Sequence, residues 1–329
     1  MRVKPLLLAE VAGVAVGRVA RTLLRRAARG PLRPGWPVRT ELAQSVMRAL
    51  LMRSKRRGIP WLRAAQASLT MGVPFEREVE VEPALLGGVP CVWHTPRGRP
   101  RERTIVYFHG GGFVIGSVAG HRDLLARLAL GADARVLGVG YRLAPEHPFP
   151  AAQADCLAAT RAVLATGVDP RRVAVAGDSA GGALVVSTLC ALRDAGGPRV
   201  AAAALICPWT EPFASGGSME AHAAFDFGDR ELLAGWAEAT LGPGAANDPR
   251  FTVANADLAG LPPLLVQVGS VELLYDQVLR FAERARKTGV DVSLEVLPEA
   301  FHDVHLQAAL LPEGAAAIQA VADYLRSRT

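Results

Sequence analysis

Ser179 is the side chain whose setting most clearly suggests chemistry. It lies in Gly177-Asp178-Ser179-Ala180-Gly181, after the apolar run 173–176 and before the apolar stretch 183–186. A G-x-S-x-G turn between a strand and a helix holds a serine oxygen clear of the backbone, where it can attack a carbonyl carbon. The glycines serve that geometry. The serine sits in a strained turn, and side chains two residues either side would collide with the neighbouring strand and helix. Taken alone, the pentapeptide fits a plain strand–helix turn equally well.

A second glycine cluster gives the serine a context. His109-Gly110-Gly111-Gly112-Phe113 follows the strand-like run 104–108. Consecutive glycines let backbone N–H groups turn toward a ligand, and an HGGG loop supplies part of an oxyanion hole in lipases and esterases. No Lys-Ser/Thr pair follows the glycines, which argues against a phosphate-binding P-loop. The two clusters in this order point to serine-dependent acyl transfer.

The elements between them must bring these residues together. Apolar runs at 105–108, 136–139, 173–176, 203–206, 264–268 and 292–297 read as strands. Helical patterns at 151–165, 182–193, 276–287 and 314–326 alternate with them. That alternation predicts an α/β fold, a mostly parallel central sheet with helices on both faces. Such sheets carry their sites at the carboxyl ends of the strands, where His109, Ser179 and the segment after Gly269 fall. Residues 79–81 and 89–93 read as two antiparallel edge strands, and 41–57 as an amphipathic helix with Leu42, Val46, Leu50 and Leu51 inward.

With these pieces in place, the chain resembles the hormonesensitive-lipase-like α/β-hydrolases, the bacterial family IV carboxylesterases with an N-terminal cap. The resemblance rests on His109-Gly110-Gly111-Gly112, on the run from Tyr141 to Ala152, on Gly177-Asp178-Ser179-Ala180-Gly181-Gly182, and on the run from Leu261 to Gly269. It extends from about Arg103 to the C-terminus. It implies helical cap segments at 1–60 and 208–260, and a catalytic α/β-hydrolase core at 61–207 and 261–329. The aromatic residues Trp209, Phe213, Phe225, Phe227 and Trp236 fall in or beside the second cap segment.

The fold orders its catalytic residues as Ser, then Asp or Glu, then His. Of seven histidines, only His302 and His305 follow the last strand. The family pattern makes the first of them, His302, the base, and leaves His305 facing the next helix or solvent. The acid is contested between Glu272 and Asp276. Many relatives carry Asp-x-Leu-x-Asp where this chain has Glu272-Leu273-Leu274-Tyr275-Asp276. The resemblance gives the first slot to Glu272 and leaves Asp276 as a helix-start residue. The oxyanion donors expected are the N–H groups of Ala180, directly after the nucleophile, and by resemblance Gly111 and Gly112. His109, Asp178, Tyr141, Arg142, Glu146 and His147 are expected to be structural, held by mutual hydrogen bonds.

Composition narrows the rest. Half of the 329 residues are hydrophobic, which suits a globular chain. Cys91, Cys156, Cys190 and Cys207 are scattered and form no C-x-x-C pair, so free thiols in a reducing cytoplasm are expected. No metal site and no cofactor is expected. Residues 1–63 hold fifteen Lys or Arg and two acids, Glu10 and Glu41, so the remainder of the chain is net acidic. No nucleic-acid-binding motif accompanies this basic segment, so no nucleic acid is expected. The start at 1–8 resembles a leader, but Glu10 and Arg18 interrupt it well short of the ~20 apolar residues that span a bilayer. Arg18, Arg21, Arg25 and Arg29 share one helix face and read as a solvated face of a cap helix. Shallow attachment to a membrane surface through this basic helix is the alternative.

The expected reaction is hydrolysis of short- to medium-chain acyl esters through an acyl-serine intermediate, with a small-molecule ester as partner. A homodimer is compatible with the sequence. An amidase or acyltransferase would share the machinery, and product analysis with esters, anilides and alcohol acceptors separates them. A ligand receptor on the same fold would dispense with the histidine, and labelling of Ser179 by a fluorophosphonate separates that.

Overall fold

Strand-like runs rich in Val, Ile, Leu and Ala have no polar face to offer water, so they pack into a sheet covered on both sides. The computed structural model describes residues 5–69, 77–98, 102–213, 216–241 and 245–329. Of the leader-like start at 1–8, residues 1–4 lie outside the described residues and the rest open the first helix. The strands are β1 (Val79–Leu86), β2 (Val89–Pro96), β3 (Thr104–Phe108), β4 (Arg135–Val139), β5 (Val173–Asp178), β6 (Ala202–Ile206), β7 (Leu264–Gly269) and β8 (Val292–Leu297). They form one sheet in the order β1-β2-β4-β3-β5-β6-β7-β8. The β1–β2 and β2–β4 pairs are antiparallel, and every other pair is parallel.

The period-two alternation of the strands divides the core. Val106, Phe108, Val139, Val175, Leu205 and Val266 face one side. There they meet α4 (Ala151–Ala165), α5 (Ala180–Asp194) and α8 (Tyr275–Lys287). Ile105, Tyr107, Val136, Ala174, Ala204 and Leu265 face the other side. They meet α3 (Arg122–Ala132) and α9 (Pro312–Arg328). Helix α3 was not among the expected helices. Its Leu124, Leu125 and Leu128 are buried at helical spacing, and its C-cap residue Asp133 is left-handed.

Two segments lie over the carboxyl ends of the strands. The first holds α1 (Pro5–Arg29) and α2 (Val38–Leu69). The helix expected over 41–57 runs on to Leu69, with a break at Gly58 (φ 80°) two residues before Pro60. Proline removes a helical donor and crowds the preceding turn, which accounts for a break rather than a stop. The second segment holds α6 (Ser218–Ala221) and α7 (Arg230–Thr240).

The arginine face of α1 is solvated only in part: Arg21 and Arg29 are exposed, whereas Arg18 and Arg25 are half-buried. Arg25 and Arg26 both bond Glu41 of α2, whose side chain is buried. Arg18 is half-buried, and loss of hydration, with help from neighbouring arginines, lowers the proton affinity of its guanidinium. The buried Val11 and Thr22 share that face. Water instead meets Leu6, Val16 and Leu24, which are 84%, 69% and 72% exposed. For Arg25 and Arg26 the charge pattern misled because Glu41 lies where it can draw them inward. Arg53 and Arg57 of α2 pair with Glu10 at the surface.

Candidate active site

β5 ends at Asp178 and α5 begins at Ala180, so Ser179 alone makes the turn. Its backbone, φ 52° and ψ −118°, is one that a non-glycine residue seldom adopts. The turn is held by its neighbours. The Ser179 N–H donates to the Ile206 carbonyl at 2.8 Å, and the Ser179 carbonyl accepts from the Trp209 N–H at 2.9 Å. Crowding explains the glycines: a β-carbon on Gly181 would stand 1.9 Å from the Phe108 carbonyl oxygen.

Two further strand ends deliver the partners. His302 follows β8, and its Nε2 lies 2.9 Å from Ser179 Oγ. Glu272 follows β7, and its Oε2 lies 2.9 Å from His302 Nδ1. Glu272 is completely buried. Asp276 lies elsewhere: in the first turn of α8 its Oδ2 accepts the Ser218 N–H at 2.9 Å. Ser179, His302 and Glu272 are thus brought together, and Asp276 is not.

The glycine loop lies beside them. Gly111 (φ 117°) and Gly112 (φ 58°) take left-handed conformations. Among the described residues, the N–H groups of Gly111, Gly112 and Ala180 donate to no protein group. They are therefore available to a ligand. The Trp236 ring closes over the loop: a β-carbon on Gly112 would lie 2.3 Å from it. His109 braces the loop from below, stacked on Tyr141 at 4.3 Å, while the Tyr141 hydroxyl donates to the His109 carbonyl. Asp178 is buried and accepts from Tyr107 at 2.8 Å, with His121 Nε2 3.1 Å away. Burial works against the Asp178 charge, but His121 and Tyr107 hold its carboxyl below the usual range.

Some expectations need correction. Arg142, Glu146 and His147 do not bond one another in a buried group; all three are exposed. Arg142 pairs with Asp155, and Glu146 reaches up to Arg63 of α2. His305 does not face solvent; the short turn that carries it packs against α9. His305 is buried, its Nε2 lies 2.8 Å from Gln267 Oε1 of β7, and burial drives its pKa down to about 4.

Three residues near the site were not anticipated. Asp226 is buried and accepts N–H groups of Phe227 and Leu273 at 2.7 Å and of His302 at 3.1 Å, so it ties the acid and base loops together. An acid between Phe225 and Phe227 was the available signal. Cys207 touches Glu272, with Sγ 2.7 Å from Oε1. Asp303 places Oδ2 3.2 Å from His302 Nε2. Burial would lower the His302 pKa, but the carboxyls of Asp303 and Glu272 outweigh it and raise it to about 10. Burial, with the nearby Asp178 and Glu272, raises the Asp303 carboxyl well above its ordinary range.

A cavity of about 90 Å³ opens at Ser179 and His302. Met47 and Leu51 of α2, Phe227, Leu232 and Trp236 enclose it from above. Among the described residues, Cys207, His302 and Asp303 could offer a metal three ligand atoms within 4.8 Å of one another. Both nitrogens of His302 already serve Ser179 and Glu272, so a metal there would compete with that hydrogen-bonded chain.

Residues 105–306 match the model of a family described as having the α/β-hydrolase fold. The chain belongs to the hormonesensitive-lipase-like α/β-hydrolase esterases. This hydrolase is 42% identical over 277 residues to an acetyl-hydrolase of Streptomyces hygroscopicus, a match that covers 83% of this chain and 90% of the relative. It is 34% identical to a carboxylesterase, NlhH, of Mycobacterium tuberculosis, across 69% of this chain and 74% of that one. Among solved structures, an esterase of the bacterial hormone-sensitive lipase family superposes with a TM-score of 0.77 at 36% identity, covering 99% of both chains. An esterase/lipase from an uncultured bacterium superposes with a TM-score of 0.79 at 30% identity, covering 94% of this chain and 98% of its own. The hydrolase acts on carboxylic esters. Among its described residues, no helix is long and apolar enough to cross a membrane.

Proposed function

We propose that Ser179 is the nucleophile of this esterase, His302 its general base and Glu272 the acid that orients His302. The N–H groups of Gly111, Gly112 and Ala180 receive the oxyanion. The observation that carries this reading is the chain Ser179 Oγ–His302–Glu272, with 2.9 Å at each bond. Ser179 Oγ bonds to the ester carbonyl carbon as its proton passes to His302 Nε2. The three N–H groups stabilise the negative oxygen of the tetrahedral intermediate. His302 returns the proton to the departing alcohol, which leaves an acyl-Ser179. Water then gives a proton to His302 and attacks the acyl carbon, and collapse restores Ser179 and releases the acid.

The substrate reading is a short acyl ester. A cavity of about 90 Å³, narrowed by Trp236, favours few carbons on the acyl side. The cap is assigned to 1–60 and 208–260 over a core of 61–207 and 261–329. Side chains of α2 and α7 above Ser179 support that division, although Gln66, beyond residue 60, also lines the cavity. Labelling by a fluorophosphonate tests the nucleophile: wild type should be labelled and Ser179→Ala should not. Labelling of both would sink the assignment.

The exposed apolar residues of α1 support contact with a membrane surface. Leu6, Val16, Leu23 and Leu24 face water, and the exposed Arg21 and Arg29 suit an anionic headgroup layer. Sedimentation with anionic vesicles, lost in Val16→Asp/Leu24→Asp, tests this. A wild type that ignores vesicles but sediments alone as a dimer would assign the face to a second copy.

A further inference from the structure

Glu272 uses one carboxylate oxygen for His302 and keeps the other for the protein. Oε2 meets His302 Nδ1, while two donors meet Oε1. One is the Gly269 N–H at 2.5 Å, and the other is the thiol of Cys207. Cys207 is fully buried and directly follows β6, with its backbone in the left-handed region at φ 46°. Its N–H donates to the Gln267 carbonyl of β7 at 2.8 Å. The preceding residue, Ile206, accepts the N–H of Ser179. Cys207 therefore sits between the turn that carries the nucleophile and the loop that carries the acid. Burial raises the thiol pKa well above its usual value, and the adjacent Glu272 raises it further. The sulfur keeps its proton, and a thiol that keeps its proton can donate to a carboxylate.

We propose that Cys207 is a positioning residue, whose S–H holds Glu272 Oε1 so that Oε2 stays aligned on His302. The proposal rests on the reading of Ser179, His302 and Glu272 as the catalytic set. A glutamate has one more rotatable bond than an aspartate, so it needs more than one anchor to present a single oxygen. Gly269, at the end of β7, supplies one anchor, and Cys207, just after the neighbouring β6, supplies the second. Cys207 does not line the substrate cavity, so its loss should act on turnover rather than on substrate binding.

The experiment compares Cys207→Ala and Cys207→Ser with wild type across a pH series, using p-nitrophenyl acetate. A serine hydroxyl can replace the thiol as donor, whereas alanine cannot. Cys207→Ala should lower kcat about tenfold with KM close to wild type, the loss of one charge-assisted bond in the reacting assembly. Its acid limb should move to higher pH, because a carboxylate with fewer donors is more basic and holds the imidazolium proton more firmly. Cys207→Ser should keep both the rate and the limb near those of wild type. The S–H stretching band of Cys207, isolated as the difference between wild type and Cys207→Ser, should shift on Glu272→Gln. Wild-type kinetics in Cys207→Ala, or an equal loss in both variants, would overturn the proposal. If Cys207→Ala does not fold, an S–H band unmoved by Glu272→Gln overturns it. In each of these cases Ser179→Ala remains inactive; an active Ser179→Ala would instead strike at the catalytic assignment itself.

Discussion

The carboxyl of Asp303 stands 3.2 Å from the same His302 nitrogen that reaches Ser179. Two carboxyls thus flank one imidazole, Glu272 on Nδ1 and Asp303 on Nε2. Each, when ionised, favours the protonated ring, and its pKa rises to about 10.

The pH profile should record this. Catalysis needs the neutral ring, so a raised pKa moves the acid limb of kcat/KM upward from the ordinary histidine value of about 6.5. Asp303→Asn removes the carboxyl that faces Nε2, whose ionised form holds the ring proton, and should bring the limb back down. A limb near 6.5 in wild type, unmoved by Asp303→Asn, would refute the coupling. Rate measurements over the alkaline range decide it.

Glu272 and Asp276 should respond differently to loss of charge. Glu272→Gln should lower kcat roughly 10³–10⁴-fold, the scale seen when a triad acid becomes an amide. Asp276→Asn weakens the bond to the Ser218 N–H and should lower the melting temperature while kcat stays within about threefold. The reverse order of kcat losses would exchange their roles.

The sequence made this contest visible, and the resemblance favoured Glu272. Spacing and resemblance set Glu272 and Asp276 side by side. The separation came from α6, whose Ser218 takes up Asp276 from a segment far away in the chain. The buried acid Asp226 was overlooked for a related reason: its partners Leu273 and His302 meet it only in three dimensions.

Trp236 should limit acyl length. Its ring packs on Gly112 and narrows the space at Ser179. Trp236→Ala should raise kcat/KM for octanoyl relative to acetyl esters by about tenfold or more, since each buried methylene contributes about 0.8 kcal/mol. An unchanged chain-length profile would mean that the acyl group lies elsewhere.

Gly181→Ala should be severely destabilised. A β-carbon at 1.9 Å from the Phe108 carbonyl cannot be accommodated without moving β3 or the turn. Thermal unfolding and soluble yield measure the effect. A stable, active variant would contradict the packing described for the elbow.

Some of this protein was written into the chain locally. The nucleophile turn and the glycine loop were legible because both need particular backbone conformations, and glycine is the residue that permits them within a few positions. The parallel sheet was legible because each buried strand repeats its own apolar pattern. Tertiary structure decided what depends on long-range approach: which face of α1 meets water, which carboxylate meets His302, and which thiol meets that carboxylate. Charge and hydrogen bonding act between groups a few ångströms apart in space. For Arg25 and Glu41, or Cys207 and Glu272, only the folded chain brings the partners within that range.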